Sequence, residues 1–282
     1  MPTPDATPTP TLPDRSARER QLARTYDTFG DGWERVEAYR RVMEYQSQHP
    51  DEGYWATAKA LELNPNRIRQ WVKNDAKPDP VHAIATADQS GWLDAEPGER
   101  VFEALSLLVG WTYAGGNITS DTYSLTLTVS DDDPGPLARE CLTAVGMGVE
   151  TMHAKSTERA TDYRPQGDGR THLGRFLVGV LEAPLGAKAD QDLRLPSWLA
   201  GAPLRTRTRW VQLYLTLRGT SAPDDEWVRV REERNQSYID ELGALVQSVV
   251  DDAENVRIGD QTVLIRPRIA HLLEGLPRLP RE

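Results

Sequence analysis

The run Leu107–Ile118 (LLVGWTYAGGNI) constrains the fold more than any other segment. From Val101 to Gly116 the residues are apolar nearly all round. A helix without a polar face must be buried between layers. The run closes on Gly115 and Gly116 and passes straight into a strand. Thr122 to Ser130 then alternates, with Tyr123, Leu125, Leu127 and Val129 on one face and Ser124, Thr126 and Thr128 on the other. That period of two predicts a half-buried strand with a hydroxyl-bearing outer face.

Further elements follow in a repeating order. Leu137 to Val145 reads as a helix, Val149 to Lys155 as a strand, Ser156 to Gly169 as a polar loop, and Arg175 to Leu181 as a helix. The plan then recurs. Leu195 to Leu199 is a short turn, and Arg209 to Leu217 is a second apolar helix ending at Arg218-Gly219-Thr220. Trp227 to Arg231 is a strand and Tyr238 to Val250 a helix. Val256 to Ile258 and Val263 to Arg266 form a hairpin, and Ile269 to Leu276 closes as a helix. The repeat rests on element order more than on identity.

Residues 1–14 hold five prolines among threonines and read as a disordered or polyproline-like tail. Asp31 to Gln48 is the first periodic helix, with Trp33, Val36, Tyr39 and Met43 on one stripe. Two short helices follow, parted by Glu62-Leu63-Asn64. Asn64 caps the second and Pro65 occupies its first position. Ala58, Leu61, Leu63, Ile68 and Trp71 would share a small core. This spacing resembles a helix-turn-helix, with Glu62 standing where glycine is common. Two short helices that merely pack together present the same spacing. Val81 to Trp92 reads as a linking helix. The divisions expected are a tail over 1–20, a helical helix-turn-helix domain and linker over 21–96, and two repeats over 97–192 and 193–282.

Composition narrows the classes. At 38% hydrophobic residues the chain can bury a core. No apolar stretch nears the roughly 20 residues of a membrane span, and the N-terminus has no apolar signal core. The expectation is a soluble, cytoplasmic protein. A lone cysteine, Cys141, and five scattered histidines give no zinc spacing. A net charge of −10 opposes polyanion binding as a global property, so any such face must be locally basic.

The order of elements and both glycine-ended helices resemble the single-chain core of LAGLIDADG homing endonucleases over roughly residues 98–275. The resemblance implies an α+β fold: an N-terminal all-α helix-turn-helix domain, then a pseudo-two-fold αββαββα core. Its two motif helices would pack through small residues, here Gly110, Ala114 and Gly116, with Leu213, Leu217 and Gly219 in the second copy. Family members carry a metal-binding acid at each helix foot. Those positions are Gly115 and Arg218 here. Glycine offers no oxygen ligand for a hard cation and arginine repels one. The resemblance therefore implies duplex DNA as partner, with no catalytic residue, metal or cofactor. A degenerate core beside a helix-turn-helix is similar to the WhiA type of bacterial regulator, although there the helix-turn-helix follows the core. The analogy implies a sequence-specific DNA-binding protein, a transcriptional regulator. A two-copy core supplies its own pseudo-symmetry, so a monomer suffices.

The resemblance implies DNA-facing candidates at the polar positions of the second short helix, where Ile68 and Trp71 turn inward, and on the outward strand faces. They are Asn66, Arg67, Arg69, Gln70 and Lys73 on the second short helix, and Thr126, Thr128, His153 and Lys155 on the first repeat. Arg229 and Arg231 serve on the second, beside Trp227, with Arg257 and Arg266 as further candidates. Arginine pairs with guanine or phosphate, and hydroxyls bond either. A solvated sheet face is the plain alternative for the strand arginines. Two other functions stay open: an endonuclease cutting with displaced acids, Asp121 and Glu226, and an RNA-binding maturase-like splicing factor.

Overall fold

In the computed structural model, residues 12–27, 30–129, 134–154, 156, 159–189, 191–220, 226–250, 253–266 and 275–281 are described. They form a mixed α+β protein with ten α-helices and two antiparallel sheets among the described residues. None of its described helices is long and apolar enough to cross a membrane. The chain divides into two units, Pro13–Leu93 and a body containing Asp94–Glu282.

The first unit is helical: α1 (Arg15–Arg24), α2 (Gly32–Gln48), α3 (Tyr54–Ala60), α4 (Pro65–Asn74) and α5 (Asp79–Gln89). Helix α1 corrects the expected tail over 1–20, because residues 15–20 are helical. Asp14 caps it by accepting from Ala17 N at 2.8 Å. Arg18 is buried and spends its charge on backbone carbonyls, Pro13 O and Leu93 O, at 2.8 and 2.9 Å. A helix pinned by a buried arginine has little apolar periodicity to reveal it. The remainder of the tail, residues 1–11, lies outside the described residues. Helix α5 occupies the expected linking segment, but it packs within this unit against α1 and α2.

Helices α2, α3 and α4 share a core of Ala38, Tyr39, Val42, Ala58, Ile68 and Trp71. Tyr39 meets Trp71 edge to face at 5.6 Å. Asn64 caps α4 by accepting from Asn66 N at 2.9 Å, and Pro65 opens the helix. Between α3 and α4, Glu62 takes the left-handed conformation at φ 56°. A residue with a Cβ is strained there and glycine is not. Glu62→Gly should therefore raise stability by up to about 1 kcal/mol, offset in part by a freer unfolded chain. Urea unfolding measures it; a clear loss of stability would contradict a strained turn.

The second unit repeats one plan twice. The first half runs α6 (Arg100–Ala114), β1 (Gly116–Ile118), β2 (Leu125–Val129), α7 (Gly135–Ala144), β3 (Gly148–Met152), β4 (Thr161–Gln166) and α8 (Arg170–Gly179). The second runs α9 (Leu204–Arg218), β5 (Gly219–Thr220), β6 (Val228–Arg231), α10 (Gln236–Gln247), β7 (Val256–Gly259) and β8 (Thr262–Ile265). The sheet orders match: β1-β2-β4-β3 and β5-β6-β8-β7. The helix expected over 269–276 falls almost wholly on residues outside those described.

Strand β4 corrects the expected loop over 156–169. It lies between β2 and β3 despite containing Pro165. Proline lacks the ladder N–H. Pro165 lies beyond the stretch paired with β2, which covers Thr161 to Tyr163. The expected strand over 149–155 ends at Met152, since His153 turns left-handed at φ 60°. Strand β6 likewise begins at Val228, leaving Trp227 just outside it.

Helices α6 and α9 pack against each other at the centre of this unit. Gly110 permits the close approach: a Cβ there would lie 2.9 Å from Trp210 Nε1 and 3.1 Å from two ring carbons. Trp210, rather than Leu213, is thus the residue seated on Gly110. Toward the helix N-termini, buried Glu103 accepts from Thr206 Oγ1 at 2.6 Å and from Gly98 N at 3.0 Å. Arg209 Nη1 lies 3.0 Å from its other oxygen.

Candidate nucleic-acid interface

The second sheet turns Val230 and its partner Val263 into the core. Its other face then carries Arg229 and Arg231, both exposed. Across the strands, Arg229 stands opposite Thr220 on β5 and Leu264 on β8, and Leu264 stands opposite Arg257 on β7. Two guanidiniums lie against Trp227: Arg257 is 4.5 Å and Arg266 4.2 Å from its ring centroid. Cations over a ring face are held by its quadrupole. Glu226, 81% exposed, lies 3.6 Å from Arg266 and offsets part of this local charge. Four arginines and a tryptophan thus gather in a chain of net charge −10.

The first sheet is different. Leu125, Leu127 and Val129 are buried, and Thr126 and Thr128 lie half-exposed on the opposite face. Thr126 stands opposite Asn117, and Thr128 donates to Asp162 Oδ1 at 2.7 Å. Arg164 lies 3.6 Å from Asp162 and stands opposite Glu150. This face is polar, and among Glu150, Asp162 and Arg164 the acids outnumber the arginine. His153 has left the strand and is half-buried in a turn, its carbonyl accepting from Ser156 N at 2.8 Å. Lys155 lies outside the described residues.

On α4, Ile68 and Trp71 face inward while Asn66, Arg67, Arg69, Gln70 and Lys73 are all exposed. Asn74 donates to Gln70, and Lys73 lies 5.1 Å from the Tyr54 ring centroid. Asn66 sits in the first turn, with its backbone N–H committed to the Asn64 cap. Side chains in that turn are the ones a groove-lying helix extends to base edges.

The feet of α6 and α9 hold a cationic cluster. Gly115 ends α6. Arg218 ends α9 and donates through Nε and Nη2 to the Glu232 carboxylate at 2.9 and 3.2 Å. Glu232 is 1% exposed and also accepts from the Tyr214 hydroxyl at 2.6 Å. Tyr214 in turn lies 2.9 Å from the Tyr238 hydroxyl. Burial first, and then the neighbouring tyrosine and Glu232, push the Tyr214 phenol well above its ordinary range. The bonds to Glu232 raise Arg218 further. Arg234 Nε lies 3.7 Å from the same carboxylate.

Lys188 completes the cluster. Its ammonium donates to two carbonyls at the end of α6, Thr112 O and, at 2.9 Å, Gly116 O. A cation there complements the helix dipole. Its loop is held in place because Gly186 N donates to Ile118 O at 2.7 Å. The Tyr113 hydroxyl lies 3.0 Å from Glu182 O and 2.8 Å from Arg194 O. Burial, with Arg234 and Arg218 beside it, pulls Lys188 down to about 8 against the attraction of Glu232.

Among the described residues, no group of three or more His, Cys, Asp or Glu side chains is placed to hold a metal ion. Asp121 and Glu226 lie elsewhere than the helix feet. Asp121 is in the β1–β2 turn, its carboxyl held low first by the Thr119 hydroxyl and then by the Thr122 N–H. Glu226 precedes β6. Sequence reasoning missed Lys188, Glu232 and Arg234. Glu232 had a signal: continuing the alternation past Val228 and Val230 turns it inward, where a lone acid demands cations. Lys188 had none. No protein-family model matches the chain, and no curated protein does.

Proposed function

We propose that this protein binds duplex DNA in a sequence-dependent way, as a transcriptional regulator, through α4 and the outer faces of its two sheets. The arginine-and-tryptophan face of the second sheet carries the reading. A paired-strand surface fits the major groove, and guanidiniums serve both guanine edges and phosphates. The matched sheet orders and the α6–α9 pair support the finer assignment, a LAGLIDADG-like core behind a helix-turn-helix. Glycine and arginine at the helix feet support binding without cleavage. Within this reading, the second sheet supplies phosphate grip and guanine contacts, and the first supplies neutral hydroxyl and amide contacts from Thr126, Thr128 and Asn117.

Selection from a randomised duplex library tests it. Enrichment of a common site is expected, with the bound DNA recovered intact after incubation with Mg²⁺ or Mn²⁺. Defined breaks would favour the endonuclease reading. Binding of folded RNA in preference to every duplex would favour the splicing-factor reading.

A further inference from the structure

The cluster at the helix feet has more positive charge than its own carboxylate needs. Arg218 already satisfies both Glu232 oxygens. Arg234 and Lys188 are then in excess. Each cation also keeps donors to spare. Lys188 has three N–H groups and uses two of them on Thr112 O and Gly116 O. Arg234 Nε is buried without a hydrogen-bond partner, its nearest acid being 3.7 Å away. Arg218 retains Nη1, and its side chain is 39% exposed. Capping α6 explains the position of Lys188 but leaves the buried donor on Arg234 unexplained. Partly buried cations in excess, with unused N–H groups, are the setting in which an anionic oxygen forms charge-assisted bonds.

We infer that Lys188, Arg218 and Arg234 form a seat for a phosphodiester oxygen of duplex DNA, at the point where β1 and β5 leave the helix pair. This rests on the DNA-binding reading and adds to it a backbone contact that fixes position without reading sequence. The seat has a pH signature. The groups around Lys188 are Arg234, Arg218 and Glu232, together with the two carbonyls it caps. In the free protein its ammonium loses its proton near pH 8. A bound phosphate restores the charge, so above that pH binding takes up a proton and weakens as pH rises.

The test is fluorescence anisotropy with labelled mixed-sequence duplex, at fixed ionic strength, from about pH 7 to about pH 9. The wild-type affinity should fall by up to about tenfold across that range. K188R, always charged, should stay flat. K188M should be flat and already weak at the lower pH. R218M removes one of the repelling charges, so its midpoint should move upward. K188R preserves the helix-capping charge and carries the comparison even if K188M does not fold. A flat wild-type profile, or an unchanged profile in K188R, overturns the seat while leaving DNA binding intact. Failure of the wild type to bind duplex at every pH overturns the parent reading, and the seat with it. Inorganic phosphate alone separates a free anion from the backbone. If it stabilises the wild type and K188R but not K188M, and duplex does not bind, the occupant is not DNA.

Discussion

Replacing Glu232 with alanine should cost about 3–5 kcal/mol of folding stability, the scale of a buried ion pair that loses one partner. The carboxylate is 1% exposed, bonded twice by Arg218 and once by the Tyr214 hydroxyl, and lies 3.7 Å from Arg234 Nε. Without it, Lys188, Arg218 and Arg234 repel one another with no acid among them, and the Tyr214 hydroxyl loses an acceptor. Glu232→Gln keeps an acceptor oxygen but not the charge, so its cost should be smaller. Urea unfolding of both variants, read as midpoint at unchanged slope, measures this. A loss under about 1 kcal/mol for Glu232→Ala would mean that solvent already shields the cluster.

Gly110→Val should be nearly as damaging, at about 2–3 kcal/mol or more, because overpacking a closed core forces side chains off their rotamers. The added Cβ would meet Trp210 Nε1 at 2.9 Å, and that indole is fully buried with no room to retreat. Tyr113 and Tyr214 hold its flanks, at 5.9 and 5.4 Å between ring centroids. Gly110→Ala is the gentler case, since better helix propensity offsets about 1 kcal/mol of the clash. Combining Gly110→Val with Trp210→Phe should cost less than the two changes summed, because the smaller ring yields the space the valine needs. Strict additivity would show that the two residues do not share the contact.

Much of the fold could be read from residue spacing, and the exceptions share a cause. Asn64-Pro65 marks where α4 starts. The alternation Leu125, Leu127, Val129 becomes β2 with its hydroxyls outward, although β2 begins later than the alternation because Tyr123 sits at φ 53°. Both are local patterns with strong apolar or capping signals. Strand β4 (TDYRPQ) has no such signal, since Tyr163 and Pro165 are its only buried residues and the paired neighbours decide its conformation. Helix α1 was hidden in the same way, by a buried arginine that bonds in part to Leu93 O, a carbonyl distant in sequence. At the candidate site, the arginines of β6 were visible from alternation alone. Arg257 and Arg266 converge on Trp227 from β7 and the end of β8, which only strand pairing brings about. Lys188 was invisible because its place depends on Gly186 and Tyr113 tethering a loop to α6 and β1.

The proposed grip of the second-sheet arginines on duplex DNA has a direct readout in the salt dependence of binding. Each phosphate neutralised contributes a slope of about −0.9 to the logarithm of affinity against the logarithm of salt. Duplex affinity measured between about 50 and 200 mM salt should therefore fall steeply for the wild type, and the slope should flatten by up to about 2 in the R229A/R231A variant. A wild-type slope near zero, or one that the double variant leaves unchanged, would contradict it.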